Sequence, residues 1–413
     1  MTIDLHATSR RQLLFASGVM FAWAHMPKLA RAEGRDPRLL VIVLRGALDG
    51  LAAVPPVGDP DWVRLRGDSA LRLDGPTPAL SLDNTFALNP AMPNLHRLYK
   101  SGEATILHAV STPYRERSHF DGQDVLESGL PKPGAVDSGW LNRALSSLVP
   151  GDSVRRSQSG LAVGPVAPLV VRGSAPIMSW TPRRPANNED TVMRLLELYR
   201  HTDPALAKVL EERLGLAAIA GAGPAVVSMD NKERDIGAAA RVRAFFAQSA
   251  GSAAKFLARA DGPRVGALSF DGWDTHANEG AMNGRLALLL GALDGAIATV
   301  KTESGEAWKE TVVAIITEFG RTARVNGTEG TDHGTGTIAV LAGGALKGGR
   351  VISDWPGLAD QMLYEQRDLK PTQDLRAALK GLLKDHLRVP DAALEASIFP
   401  GSKDVRPLEG LVG

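Results

Sequence analysis

Apolar residues along this chain fall into two alternating patterns. Arg38 to Leu44 (RLLVIVL) is an unbroken branched-aliphatic run that ends in Arg45-Gly46-Ala47-Leu48-Asp49-Gly50. A run of that length and composition predicts a strand buried on both faces and feeding a loop. Thr105 to Val110, Val265 to Phe270, Thr311 to Thr317 and Thr337 to Leu341 repeat the pattern, each bordered by a polar or Gly-rich segment. Between the third and fourth of these five strands, Leu286, Leu289, Leu290, Leu293, Ile297 and Val300 recur at helical spacing along one face. Strands alternating with helices predict an α/β fold, a sandwich of helices around a central, mostly parallel sheet.

Residues from about 187 to 260 read differently. They are rich in Ala, Leu, Arg and Glu, with helical periodicity in Val192 to Leu198, Leu206 to Leu214 and Ala238 to Leu257, and predict a helical insertion or lid. Pro182 to Asn188 (PRRPANN) is the clearest joint. Leu375 to Leu387 predicts one more amphipathic helix, and the Pro- and Gly-containing tail a surface strap.

The N-terminus follows the order charged, apolar, small-x-small: Arg10-Arg11, an apolar run from Leu13 to Ala24, then Ala30-Arg31-Ala32. This predicts an export signal over residues 1–32, cleaved after Ala32, with Arg10-Arg11 of the twin-arginine type read by the machinery that moves folded proteins. The expected destination is the periplasm or the medium. The run is too short to span a bilayer, so the processed chain is not expected to be an integral membrane protein. Cleavage removes four basic side chains and one acidic one, and turns a formal charge of +1 slightly negative. No electrostatic footprint for nucleic acid is present. The chain contains no Cys, which excludes disulfides and thiolate metal sites.

In open α/β sheets ligand sites collect at the carboxyl ends of strands, and that is where the chemistry-bearing residues lie. Asp49 follows the first strand, although Asp-Gly is also an ordinary turn dipeptide. Asp271-Gly272-Trp273-Asp274-Thr275-His276 follows the third and offers oxygen and nitrogen donors for a divalent cation, or a capped turn with a packed His. Glu318-Phe319-Gly320-Arg321 follows the fourth, and a Gly-rich stretch then leads to Thr331-Asp332-His333. After the second strand, Ser118 with Asp121 reads as a helix N-cap. The same geometry puts a hydroxyl beside free N–H groups and a positive dipole, as an attacking nucleophile requires, with Arg115 and Arg117 to hold an oxyanion. His119 next to Ser118 is not by itself a catalytic pair, because consecutive helical residues point in different directions.

In order, these segments resemble the alkaline phosphatase and sulfatase superfamily, and more closely the exported bacterial family catalogued as domain of unknown function 1501. The closer resemblance rests on LRGALDGL (44–51), PYRERSHFDGQD (113–124), GWLNRAL (139–145), SFDGWDTHAN (269–278), TEFGRTARVNGTEGTDHGTG (317–336) and GGRVISDWPGL (348–358). It implies an alkaline-phosphatase-like three-layer α/β/α domain over residues 33–413. It also implies a metal-dependent hydrolase of phosphate or sulfate esters, with Ser118 as nucleophile and zinc, calcium or magnesium as the metal. Asp274, His276 and His333 would hold one ion, Asp49 and Glu318 a second, and Arg115, Arg117 and Arg321 the substrate anion. The superfamily's usual Asp-His pair is here Glu318-Phe319, so one nitrogen ligand is missing unless Asp332 replaces it. A binding or scaffold protein that keeps the fold without a full metal site is the alternative. A metal-free serine hydrolase pairing Ser118 with His108 or His119 is a third reading.

Overall fold

The structure, a computed structural model, describes residues 35–134, 136–148, 160–181, 199, 203, 205–208 and 231–413, the side chains of 231–236 aside. The export segment, the 182–188 joint and most of the stretch from 187 to 230 lie outside the described residues.

Eleven strands are described: β1 (Arg38–Arg45), β2 (Leu80–Ser81), β3 (Ala87–Leu88), β4 (Ala104–Ser111), β5 (Gly160–Val163), β6 (Ile177–Trp180), β7 (Val265–Asp271), β8 (Thr311–Thr317), β9 (Thr337–Ala342), β10 (Arg350–Ile352) and β11 (Gln373–Asp374). The helices used below are α1 (Gly50–Ala53), α2 (Trp62–Arg66), α3 (Pro93–Lys100), α4 (His119–Ser128), α5 (Trp140–Ser147), α6 (Asn231–Ala258), α7 (Arg285–Ser304) and α8 (Leu375–Gly381). β2 and β3 form a small hairpin sheet. The others make one nine-stranded sheet in the order β10-β4-β9-β8-β1-β7-β5-β6, with β11 also on β4. All five strands read from the sequence are there.

β1 explains why a central strand is apolar at every position. Leu40, Ile42 and Leu44 face one helical layer, where Leu286, Leu290, Leu293 and Ile297 of α7 and Phe246 and Ala250 of α6 are buried. Leu39, Val41 and Val43 face the other, against Trp140 and Leu141 of α5 and Leu375 and Leu379 of α8. Alternate side chains leave a strand on opposite faces, so a sheet covered on both faces needs apolar residues throughout. Truncating one of these leucines or isoleucines to alanine should cost about 2–5 kcal/mol. The fold is therefore a three-layer α/β/α sandwich. The described part of the helical stretch, α6, lies within the first layer, with Phe246, Ala250, Ala253, Ala254 and Leu257 buried in its core.

Among the described strands of the large sheet, β9 is the one that reverses direction: it pairs antiparallel with both β8 and β4, whereas the other pairings there are parallel. An antiparallel connection leaves and returns at the same edge. The excursion from β8 to β9 therefore delivers Glu318 and His333 to one edge, where β1, β4 and β7 also end.

Candidate functional site

Four segments meet at this edge, and tight backbone packing fixes their approach. Gly46, after β1, has φ +117°, and a Cβ there would lie 2.6 Å from the backbone nitrogen of Asp274. A Cβ on Gly330 would lie 2.3 Å from the carbonyl of His276. The segment after β7 is pinned by buried Trp273, whose indole N–H donates to the Phe270 carbonyl at 3.0 Å. Behind it, Glu279 accepts hydrogen bonds from Thr275 Oγ1 (2.9 Å) and Thr331 Oγ1 (3.4 Å) and so ties the two loops together. Burial and the negative charge of Asp49 push the Glu279 carboxyl up to about 8.

At the mouth, Asp274 is ringed by three imidazoles. Its carboxylate oxygens lie 3.4 Å from His119 Nε2, 3.0 Å from His276 Nε2 and 3.3 Å from His333 Nε2. Donor atoms of His119, Asp274 and His333 all fall within 4.8 Å of one another, and His276 adjoins them with its Nε2 3.0 Å from that of His333. Each ring is oriented from behind through Nδ1: His119 on Glu318 Oε1 (2.9 Å), His333 on the Arg117 carbonyl (2.9 Å) and His276 on Asp332 Oδ1 (3.3 Å). Because all three partners are acceptors, Nδ1 carries the proton and Nε2 turns its lone pair inward, the arrangement of metal-ligating histidines with outer-shell carboxylates.

The donors fit a cation. His119 Nε2 is buried without a hydrogen-bond partner, and two Nε2 lone pairs face each other across the site. Ligands about 2.0–2.1 Å from one tetrahedral ion stand roughly 3.3 Å apart, close to the spacings around Asp274. Imidazole nitrogens of His119 and His333 with the Asp274 carboxylate, and His276 adjoining them, suit a zinc-like transition metal better than calcium or magnesium, which prefer oxygen.

Electrostatics agree with this division of roles. The hydrogen bond that His119 donates to Glu318 raises its imidazole above the ordinary value against the effect of burial. Burial, then the neighbouring His119, lowers that of His333. Burial pushes Asp274 up, but the hydrogen bond and charge of Arg321 and the nearby His276 and His119 outweigh it and hold the carboxyl low. Glu318 is likewise held low against burial by bonds from His119, Gln123 and Gly46.

Several sequence expectations are redistributed. Asp274, His276 and His333 do converge. Asp49 does not join them: its carboxylate is buried in a two-pronged pair with Arg66 (2.5 and 3.0 Å) and caps α1 through the Ala52 N–H. Glu318 is saturated by its hydrogen bonds and orients His119, so with Asp49 it does not form a second open metal site. Asp332 orients His276 and does not replace the missing nitrogen. Arg321 is buried, pairs with Asp274 and also donates to the Thr331 carbonyl, so its guanidinium holds a ligand and not a substrate. Arg115 spends Nη1 on the Thr112 and Tyr114 carbonyls, and Arg117 pairs with Asp368 and Glu365. Ser118 occupies the N-cap of α4, but its side chain makes no capping bond. Asp121 instead accepts from the Tyr114 hydroxyl at 3.3 Å.

His119 is the residue that sequence reasoning passed over as a ligand. Its ring stacks on Phe319 with centroids 5.1 Å apart, so it stands beside the position left without a nitrogen. The signal was available: a missing ligand after β8 and an unassigned His at the same edge after β4.

His108 cannot serve Ser118 as a base. Its ring is buried, stacked on Phe86 at 4.7 Å and edge-on to Trp355 at 5.1 Å. Nε2 donates to the Val54 carbonyl at 2.9 Å and Nδ1 accepts from Ala109 N–H at 2.8 Å, so the ring is neutral with both nitrogens used. Burial lowers its pKa to about 4. The unfolded chain, with a His near 6.5, therefore takes up a proton first as pH falls, and stability is lost from about pH 6.5 down through pH 4. Relative to His108→Leu, the wild-type protein should lose about 2 kcal/mol more between pH 8 and pH 5. Urea midpoints across that range check this, and parallel pH profiles would contradict it.

Among the described residues, no helix is long and apolar enough to cross a membrane. Solved structures with partial likeness include one described as Ps i-CgsB, at 10% identity and TM-score 0.37, covering 77% of this chain and 68% of that one. The PsFucS1 sulfatase from Pseudoalteromonas sp. matches at 13% identity and TM-score 0.33, covering 83% and 68%. A protein in the alkaline phosphatase superfamily from Vibrio parahaemolyticus matches at 13% identity and TM-score 0.32, covering 75% and 60%. No curated protein matches the chain. The family model described as Protein of unknown function (DUF1501) matches residues 98–397, a span that contains His119, Asp274, His276 and His333, and the chain belongs to that family.

Proposed function

We propose that the protein is an exported, metal-dependent hydrolase of phosphate or sulfate esters, with Ser118 as nucleophile. One observation carries the reading: Ser118 is bracketed by the cluster. The carbonyl before it, on Arg117, accepts from His333, and the residue after it is His119. Arg117 has φ +62°, a conformation that L-residues rarely adopt, and the strain turns the chain sharply from the β4 loop into α4. Ser118 thus stands at a helix N-terminus whose free N–H groups favour an anion.

When bound, the ion would withdraw charge from the ester oxygens. The chain's own residues do the rest. His119, His276, His333 and Asp274 form the donor set, and Glu318, Asp332 and Arg321 hold that set in place. Ser118 Oγ forms a bond to phosphorus or sulfur while the bond to the departing alcohol breaks. The hydroxyl proton passes to solvent and the alcohol takes one from water. Water then cleaves the seryl ester and restores the hydroxyl.

Ser118→Ala and His276→Ala are each expected to lower hydrolysis of aryl phosphate and sulfate esters by roughly a thousandfold. If both variants match the wild type across the panel, the mechanism is wrong. Export by the twin-arginine route is part of the proposal. Arg10→Lys with Arg11→Lys should leave the protein in the cytoplasm, as fractionation would report.

A further inference from the structure

The charge around the cluster is already matched, and this limits what ester can enter. Asp274, Glu318 and Asp332 contribute three carboxylates, against the one guanidinium of Arg321 paired with Asp274 at 2.5 Å. A single divalent ion on the donor set would cancel the remaining two negative charges. Next to it, Arg117 and Arg367 are taken up by Asp368 and Glu365, with Arg367 also donating to the His333 carbonyl. Arg115 is half-buried on backbone carbonyls. Deeper, Arg66 neutralises Asp49 at the place where the resemblance implies a second ion. The three arginines that the sequence offers for an oxyanion are thus all engaged within the protein.

We infer that the site selects esters carrying one negative charge, phosphate diesters or sulfate monoesters, over dianionic phosphate monoesters. The inference rests on the hydrolase reading and adds the substrate's charge to it. A monoanion adds one negative charge to a neutral site and is offset by the helix N-terminus. A dianion adds two beside Asp274 and Asp332, where Arg117 and Arg321 are already ion-paired and Arg115 is held on backbone carbonyls.

The test separates binding from turnover. Ser118→Ala protein, purified without chelators, is titrated calorimetrically at pH 8 with diphenyl phosphate, phenyl sulfate and phenyl phosphate, the last a dianion there. Because the Ser118 side chain makes no capping bond, alanine leaves the helix start intact. Diphenyl phosphate or phenyl sulfate, or both, should bind at least tenfold more tightly than phenyl phosphate, and their relative affinities tell the two monoanions apart. Equal or tighter binding of phenyl phosphate overturns the inference, as does absence of binding by all three. Wild-type turnover of the same compounds keeps the two claims distinct. Preferential hydrolysis of phenyl phosphate sinks the charge inference alone, whereas no hydrolysis of any ester removes the hydrolase reading and the inference together.

Discussion

His119→Ala is expected to empty the site, lowering the metal content of chelator-free protein from about one divalent ion per chain to near zero. The side chain lost would be a ligand whose buried Nε2 makes no hydrogen bond, and whose ring is set from behind by Glu318. Glu318→Gln keeps a hydrogen-bond acceptor but loses the charge, so it should weaken binding by roughly 10–100-fold and leave the stoichiometry unchanged at saturating metal. Elemental analysis gives the first result and competition with a chelating dye the second. Thermal unfolding offers a third readout, because an ion bound only by the native state raises Tm and that increment should vanish in His119→Ala. A variant that holds as much metal as the wild type, at the same affinity, would show that the imidazoles converge for another reason.

The framework of the fold is legible in the sequence because burial on both faces writes itself as continuous aliphatic runs. Each of the five long strands appears where Val, Ile and Leu crowd together, and α7 where Leu recurs at helical spacing. The direction of β9 is not legible, since antiparallel and parallel central strands are equally apolar when helices cover both faces. β5 and β6, four residues each, are too short for periodicity to mark them. At the site, the resemblance is what grouped Asp274, His276 and His333, and each of them follows or precedes a strand at the same edge. The roles of Asp49 and Arg321 could not be read from the sequence, because their partners are set by tertiary packing. Arg321 reaches Asp274 across 47 positions, and the sequence nearby offers Glu318 as the more obvious partner. Arg66 lies in a short helix whose sequence, Trp-Val-Arg-Leu-Arg, gives no sign that its last residue is buried.

That buried pair is where the largest loss of stability is expected. Arg66→Met removes the guanidinium that grips both oxygens of Asp49, in a place where both side chains are almost fully shielded from water. The same guanidinium donates to the carbonyls of Thr322 and Ala323, which tie α2 to the loop after β8. Left alone, Asp49 would be an unpaired buried carboxylate facing Glu279, whose own carboxyl its charge already pushes up. Breaking one side of such a pair costs about 3–5 kcal/mol, most of it the cost of the charge that remains. Asp49→Asn in the Arg66→Met background removes that charge and keeps an oxygen to cap α1, so the double variant should regain roughly 1–3 kcal/mol. Urea denaturation of wild type, single and double variants measures both steps. The same proteins test the site, because Asp49 lies outside the donor set: the folded double variant should still bind one ion per chain. A second ion in the wild type that disappears with Asp49→Asn would instead return Asp49 to the metal, and a loss below about 1 kcal/mol for Arg66→Met would mean that water reaches the pair.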